Sequence, residues 1–479
     1  MDLTKNKIPS NVSHIHLIGV CGSAMGALAC SLKSMGYHVT GSDQAVYPPM
    51  STFLKKQGIK IQIGYLPEHI KASADLVVIG NTAKKTNPEV MTTIEQGLFF
   101  CSLPQAVNHF MGNGKKLLVV TGTHGKTTAS SILAWILESA GYSPSFLIGG
   151  ILKNFDCNFQ VGSGDYLVLE GDEYDTSFFD KGPKFMHYLP HSAILTSVEF
   201  DHADIYKDVA AVQKAFRGFV SQIPSEGMLF AADTGAYLEE VLSDSFSLPV
   251  RYGQKDTATW RFENIKIQQG QTTFDVFYND SLFGSFTTSM MGVHNLANTI
   301  ACIGVLHRIG LSASQIAKGL LTFKGIKRRQ EIRGVQNKIT VLDDFAHHPT
   351  AVTETIRAVK PFFPNGRLIA VFEPRTNSSR RNFFQKDYPY SFIKADLICI
   401  PKPPLQENID PKERFCSKTL VNDLQKLGKE AYFFQDASDI IDFISDKAKP
   451  EDVILIMSNG GFDNIHERLL TRLKQKGDR

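Results

Sequence analysis

The sequence predicts an α/β protein of several parallel-sheet domains. Short apolar runs recur, and each ends in a polar or glycine-containing turn that leads into a helical pattern. The clearest unit is Leu117 to Gly141. Leu117, Leu118, Val119 and Val120 suit a buried strand. Gly122-Thr123-His124-Gly125-Lys126-Thr127-Thr128 makes a tight turn. Ala129, Ile132, Leu133, Ile136, Leu137 and Ala140 then recur at helical spacing before Gly141 stops the helix. Strand, Gly-Lys-Thr turn and helix form a phosphate cradle: backbone N–H groups and the helix N-terminus face the phosphates, the lysine reaches the terminal ones, and a threonine hydroxyl can hold Mg²⁺. Only GxxGKT is present, because Val120 stands where the longer pattern has glycine. The alternative is a solvated βα turn.

Bulk properties exclude several classes. With 479 residues the chain exceeds one core, and two to four domains are expected. A net charge of +3 gives no reason to expect nucleic acid or a membrane surface as partner. The 7 cysteines are scattered with no CxxC pair, which fits a reducing cytoplasm rather than a disulfide framework or zinc site. No apolar run approaches the roughly 18 residues of a membrane span. A cytoplasmic monomer is expected.

In chain order, His14 to Asp43 reads as strand, glycine turn, helix and second strand over Tyr37 to Thr40. This resembles a Rossmann-like βαβ unit, with an acid about 20 positions on to meet a ribose. Gly19, Gly22 and Gly26 give GxxGxxxG, and Cys21 breaks the dinucleotide fingerprint. A nucleotide diphosphate site is the functional reading; glycines that merely allow close packing are the other. A strand at Leu76 to Ile79, the loop at Asn81 and a helix opening after Asn87 follow, and this domain should close near residue 113.

In the central domain, 114 to 324, a strand over Tyr166 to Leu169 delivers Glu170, Asp172, Glu173 and Asp175 to its end. A second, AILTSVEFDHADIY, ends in Glu199, Asp201, His202 and Asp204. Either cluster alone could be a solvated turn. Both at strand ends after a Gly-Lys-Thr turn favour Mg²⁺ and γ-phosphate chemistry. Asn295 and Asn298 share one helix face, as buried caps or as readers of an adenine edge. From 325 to 479, three strand ends carry polar residues: Asp343 and Asp344; Glu373, Arg375 and Asn377; Ser458 and Asn459. A doubly wound sheet with its crevice on that edge is expected.

TGTHGKTT, EFDHAD, HNLAN, RRQE and DDFAHHPT together resemble the Mur ligase family from end to end. GVCGSAMG, SDQAVYPPMS, GDEYDTSFFDKGPKF and EPRTNS look like the branch that ligates a murein tripeptide in recycling; the L-alanine-adding branch of de novo peptidoglycan synthesis is the alternative. The resemblance implies a UDP-binding Rossmann-like domain, a P-loop ATPase-like domain and a Rossmann-like acceptor domain. It further implies that ATP activates UDP-N-acetylmuramate as an acyl phosphate, which the tripeptide amine attacks. Lys126 would hold the terminal phosphates, Thr127, Glu170 and His202 would serve Mg²⁺, and Asn295 and Asn298 would face adenine. Arg329 and Asp344 would reach phosphate and ribose on domain closure. Gly19, Cys21, Gly22, Met25, Ser42, Asp43 and Asn81 fall where the family binds UDP. Arg375, Asn377 and Asn459 are the acceptor candidates, with an Arg375–Glu373 surface pair as the alternative. The lysine that many members carbamylate is replaced by Phe216, with Lys214 out of step. Two other classes fit less well. A P-loop kinase or switch fused to a dehydrogenase-like domain would need an intact GxGxxG. An idle nucleotide-binding regulator could have lost Lys126, Glu170 or His202, and all three stand.

Overall fold

The computed structural model describes residues 3–46, 50–71, 73–202, 205–404 and 409–477. Asp204 lies outside them, as do Tyr47 to Pro49 of the SDQAVYPPMS segment. Three main sheets follow one another along the chain.

The first is all parallel, in the order Lys60–Ile63, His38–Asp43, His14–Ile18, Leu76–Ile79, Phe100–Ser102. The expected strand at Tyr37 to Thr40 runs instead from His38 to Asp43. The central sheet has ten strands, with Lys116–Thr121 between Ser192–Leu195 and Tyr166–Gly171. At one edge the strands Trp260–Gln268, Gln271–Tyr278 and Ser281–Thr288 continue it as an antiparallel meander. Their alternating residues bury one face, as Phe274 and Val276 show.

The third sheet has six strands, Glu331–Gln336, Ile339–Asp344, Val453–Met457, Leu368–Phe372, Leu397–Pro401 and Glu430–Phe434. Only its first pair is antiparallel. Leu368, Ala370 and Phe372 enter one core while Ile369 and Val371 enter the other. Helices cover both faces, so the strand needs an unbroken apolar run. Each large side chain buried this way contributes about 1.5–3 kcal/mol.

The first and central sheets are tied together by packing. The helix Ser23–Ser34 lies against strands Ser145–Leu152 and Cys157–Gln160, and Phe53 meets Phe159 edge-on with ring centroids 5.8 Å apart. At the junction Ser23 Oγ donates to the Gly149 carbonyl at 3.0 Å. This brings the glycine turn of the first sheet beside the crevice of the second.

Candidate functional site

The phosphate turn is shaped by two glycines. Gly122 and Gly125 have φ of 128° and 81°, and the helix Lys126–Ser139 starts directly after Gly125. A Cβ on Gly122 would stand 2.1 Å from Thr196 Oγ1, so the turn is seated on the segment that follows strand Ser192–Leu195. That strand stops before the acids, earlier than the sequence suggested. Thr196 N still donates to Thr121 O at 3.0 Å, but the Thr196 hydroxyl donates to the His124 carbonyl and Ser197 is taken up by the turn, with Thr123 N donating to Ser197 O at 2.9 Å and His124 N to Ser197 Oγ at 3.1 Å.

Lys126 is buried. Its Nζ donates to the Gly122 carbonyl at 2.7 Å and to Glu173 Oε2 at 2.7 Å. Burial works against its charge, yet Glu173 and Asp172 outweigh that and hold the ammonium pKa above its usual value. Glu173 is the hub: its Oε1 also meets His202 Nε2 at 3.1 Å. Sequence reading placed Glu173 in the acidic cluster without giving it a role. His202 adopts a left-handed φ of 54°, and its ring lies 4.1 Å from that of Tyr174. Burial lowers its pKa, but Glu173 and Asp201 raise it to above the usual value.

Thr127 Oγ1 donates to Glu170 Oε1 at 2.8 Å, while Glu170 Oε2 accepts from Gly149 N at 2.7 Å. A hydroxyl and a carboxylate so close, at the end of a phosphate-binding turn, form the hard oxygen set that suits Mg²⁺. His202 meets neither oxygen of that set among the described contacts; its ring nitrogen is held by Glu173, the carboxylate that also binds Lys126. Thr128 sits half-buried in the first helical turn.

The adenine candidates form a chain. Asn298 Nδ2 donates to Asn295 Oδ1 at 3.4 Å, and Asn295 Nδ2 to Gln330 Oε1 at 3.1 Å. A Cβ on Gly125 would stand 2.5 Å from Asn298 Oδ1, so this amide also buttresses the turn. From the third sheet's side, Arg329 reaches Thr127 Oγ1 at 3.4 Å and stacks over Phe345 with its guanidinium carbon 4.9 Å from the ring centre. Asp344 is buried and accepts from Gln330 N and Ala346 N, both at 2.8 Å. Burial pushes its pKa up. The neighbouring Arg328 donates to the carbonyls of Ser458 and Gly460 at 2.6 and 2.7 Å.

The central and third sheets also meet through an acid–imidazole layer. Thr350 Oγ1 donates to Glu199 Oε2 at 2.7 Å, and Ser378 Oγ to Asp201 Oδ1 at 3.0 Å. Burial holds the His348 imidazole pKa well below its usual value. Below about pH 6.5 the unfolded chain takes up a proton that folded His348 refuses, so stability falls with pH there. Thermal melting should show this slope between about pH 7 and 5, and His348→Gln should flatten it; an unchanged slope would assign it to other groups.

In the first domain, Gly19 has φ of 83°, Cys21 N donates to Asp43 Oδ2 at 2.8 Å, and Gly22 caps the helix Ser23–Ser34. Burial raises the Cys21 thiol to about 11, so it is a neutral neighbour to an anion. Met25 is buried and Asn81 exposed. The Ser42 hydroxyl points away from this crevice, to Glu89. Its carbonyl instead holds the turn, accepting from Gly19 N at 2.8 Å. Among the acceptor candidates, Arg375 NH1 pairs with Glu373 Oε1 at 3.2 Å yet stays 42% exposed at the side chain. Asn377 is exposed on the same loop, and Asn459 Oδ1 is buried without a hydrogen-bond partner among the described residues.

Known proteins resemble this chain along most of its length. Residues 14–115 match the Mur ligase family catalytic domain, 120–306 the Mur ligase middle domain and 328–460 the Mur ligase glutamate ligase domain. The UDP-N-acetylmuramate–L-alanyl-γ-D-glutamyl-meso-2,6-diaminoheptandioate ligase of Haemophilus influenzae is 37% identical over 466 residues, 97% of this chain and 100% of that protein. The UDP-N-acetylmuramate–L-alanine ligase of Carboxydothermus hydrogenoformans is 30% identical over 456 residues, 95% and 96% of the two chains. The crystal structure of a murein peptide ligase from Psychrobacter arcticus superposes with a TM-score of 0.71 at 36% identity, covering 96% of this chain and 99% of that one. The chain belongs to the Mur ligase family.

Proposed function

We propose that this protein joins UDP-N-acetylmuramate to L-alanyl-γ-D-glutamyl-meso-diaminopimelate, with ATP converted to ADP and phosphate, in peptidoglycan recycling. One observation carries the chemistry. The Ser23–Gly149 contact sets the glycine turn of the first domain beside Glu170, which itself touches Thr127 of the phosphate turn. A sugar nucleotide on the first turn therefore presents its lactyl carboxylate to a γ-phosphate held by the second. The carboxylate oxygen attacks phosphorus and ADP leaves. The tripeptide α-amine, once deprotonated, attacks the acyl carbon and phosphate leaves. Such steps need alignment and charge neutralisation more than covalent help.

Lys126 orients the terminal phosphates, exchanging Glu173 for phosphate oxygens. Thr127 and Glu170 would hold Mg²⁺, which supplies neutralisation of phosphate charge, and His202 steadies Glu173. Asn295, Asn298, Arg329 and Asp344 take the nucleoside end of ATP. Gly19, Gly22 and Asp43 take the UDP part. The reading includes domain divisions after residues 113 and 324, supported by sheets that span His14–Ser102, Lys116–Thr288 and Glu331–Met457. It also places the enzyme in the cytoplasm, where ATP and the sugar nucleotide are available.

The tripeptide is favoured over L-alanine by 37% and 36% identity over 466 residues to two tripeptide ligases, against 32% over 462 residues and 34% over 385 residues to two L-alanine ligases. Arg375 offers the further donors of its guanidinium fork to a substrate carboxylate while one nitrogen stays on Glu373. Arg375→Lys should raise the tripeptide KM by about fivefold to tenfold and leave those of ATP and UDP-N-acetylmuramate unchanged. Separate titration of each substrate checks this, and an unaltered tripeptide KM would move recognition elsewhere. The chemistry itself is tested with ¹⁸O in the lactyl carboxylate. One labelled oxygen should appear in the released phosphate; unlabelled phosphate would exclude an acyl phosphate.

A further inference from the structure

We infer that a second, strongly basic cleft in the third domain, lined by Arg380, Lys402, Arg414 and Lys418, receives the carboxylate-rich far end of the acceptor peptide. This rests on the tripeptide reading above. The cleft has a volume of about 410 Å³, with Phe415 and Phe433 in its wall. Among the described residues lining it there are four cations and no carboxylate.

Its position in the fold fits an extension of the active site. Lys402 follows strand Leu397–Pro401 and Gln435 follows Glu430–Phe434, both on the carboxyl edge where such sheets take ligands. The loop after strand Leu368–Phe372 connects the cleft to the reacting centre. Its Ser378 hydroxyl touches Asp201, the neighbour of His202. Two residues later Arg380 lines the cleft, and Arg381 forms a backbone bridge with Arg414. A peptide that follows this loop from Asp201 past Arg375 runs toward the cleft with its distal end.

Charge supports the same occupant. Burial, and then the charge of Arg375, depress the Arg380 pKa against the opposing pull of Glu373, so two guanidinium groups already share one nearby carboxylate at this corner. Arg414 Nε is spent on the Ile409 carbonyl at 3.0 Å, and Lys418 Nζ stands 5.2 Å from the Phe433 ring centre. Gathering like charges is unfavourable unless an anion comes among them. The tripeptide supplies that anion: it bears several carboxylates, those of diaminopimelate at the far end, whereas L-alanine has one beside its amine. The cleft therefore distinguishes the long acceptor from the short one.

Lys402 and Lys418 are exposed on the rim and can be changed with little cost to folding. The test compares wild type with Lys402→Gln/Lys418→Gln by the KM of each substrate. Alkylation of Cys416 by iodoacetamide is followed in parallel; this exposed thiol lines the same cleft. Labelling uses the full chain with UDP-N-acetylmuramate and a non-hydrolysable ATP analogue. The double variant should raise the tripeptide KM about tenfold or more, with kcat and the other two KM values within about twofold. Saturating tripeptide should protect Cys416 in wild type, and not at the same concentration in the variant. A normally melting variant with unchanged tripeptide KM and unchanged protection overturns the inference and leaves the ligase reading intact. A parallel rise in all three KM values also overturns it. A wild type that turns over no tripeptide defeats both readings.

Discussion

Lys126→Met should lose about 10²-fold or more in kcat while the protein still folds. Wild-type Lys126 donates to Glu173 at 2.7 Å inside a site where its side chain is 12% exposed. Two effects combine in the variant. The cation that faces the terminal phosphates is gone, and Glu173 is left as an uncompensated buried carboxylate beside them. Breaking a buried pair from one side costs about 3 kcal/mol or more in stability. Lys126→Met/Glu173→Gln separates the two effects: melting should recover toward wild type while turnover stays low. Turnover within about twofold of wild type in Lys126→Met would remove the lysine from phosphate binding.

Glu170→Ala should raise the Mg²⁺ concentration needed for half-maximal rate by about tenfold or more. The variant removes the carboxylate that sits 2.8 Å from Thr127 Oγ1, and it also frees Gly149 N. His202→Ala should behave differently, since its ring nitrogen meets Glu173 rather than Glu170 or Thr127. The effect there belongs mainly in kcat, through a less restrained Glu173 and Lys126, with a smaller change in the Mg²⁺ requirement. Titrating Mg²⁺ against rate in both variants checks this. Wild-type Mg²⁺ dependence in both would exclude the pair from the metal site.

The parts of this site built from local sequence were legible in it. Leu117 to Gly141 announces strand, turn and helix by spacing alone, and Gly141 ends the helix in the left-handed conformation at φ 83°. Strands Leu76–Ile79 and Leu368–Phe372 begin and end where their apolar runs do. What the sequence could not show is pairing between distant segments. Nothing local marks Glu173, among four nearby acids, as the partner of Lys126 and His202; the fold decides that by bringing two strand ends together. The early stop of strand Ser192–Leu195 has the same origin, because Thr196 and Ser197 are drawn to the phosphate turn. Ser42 looked like a crevice residue by position, yet the first sheet turns its hydroxyl to Glu89. The cations of the second basic cleft are spread from Arg380 to Lys418 and read as ordinary surface charge until strand order gathers them.

The enzyme joins a murein tripeptide to UDP-N-acetylmuramate at the expense of ATP. ADP release by the purified protein, with UDP-N-acetylmuramate present and either tripeptide, L-alanine or no acceptor added, tests it most directly. ADP release should be rapid with the tripeptide, accompanied by a product whose mass is that of both substrates less water, and should stay near the no-acceptor level with L-alanine. Preference for L-alanine, or ADP release indifferent to UDP-N-acetylmuramate, would contradict it.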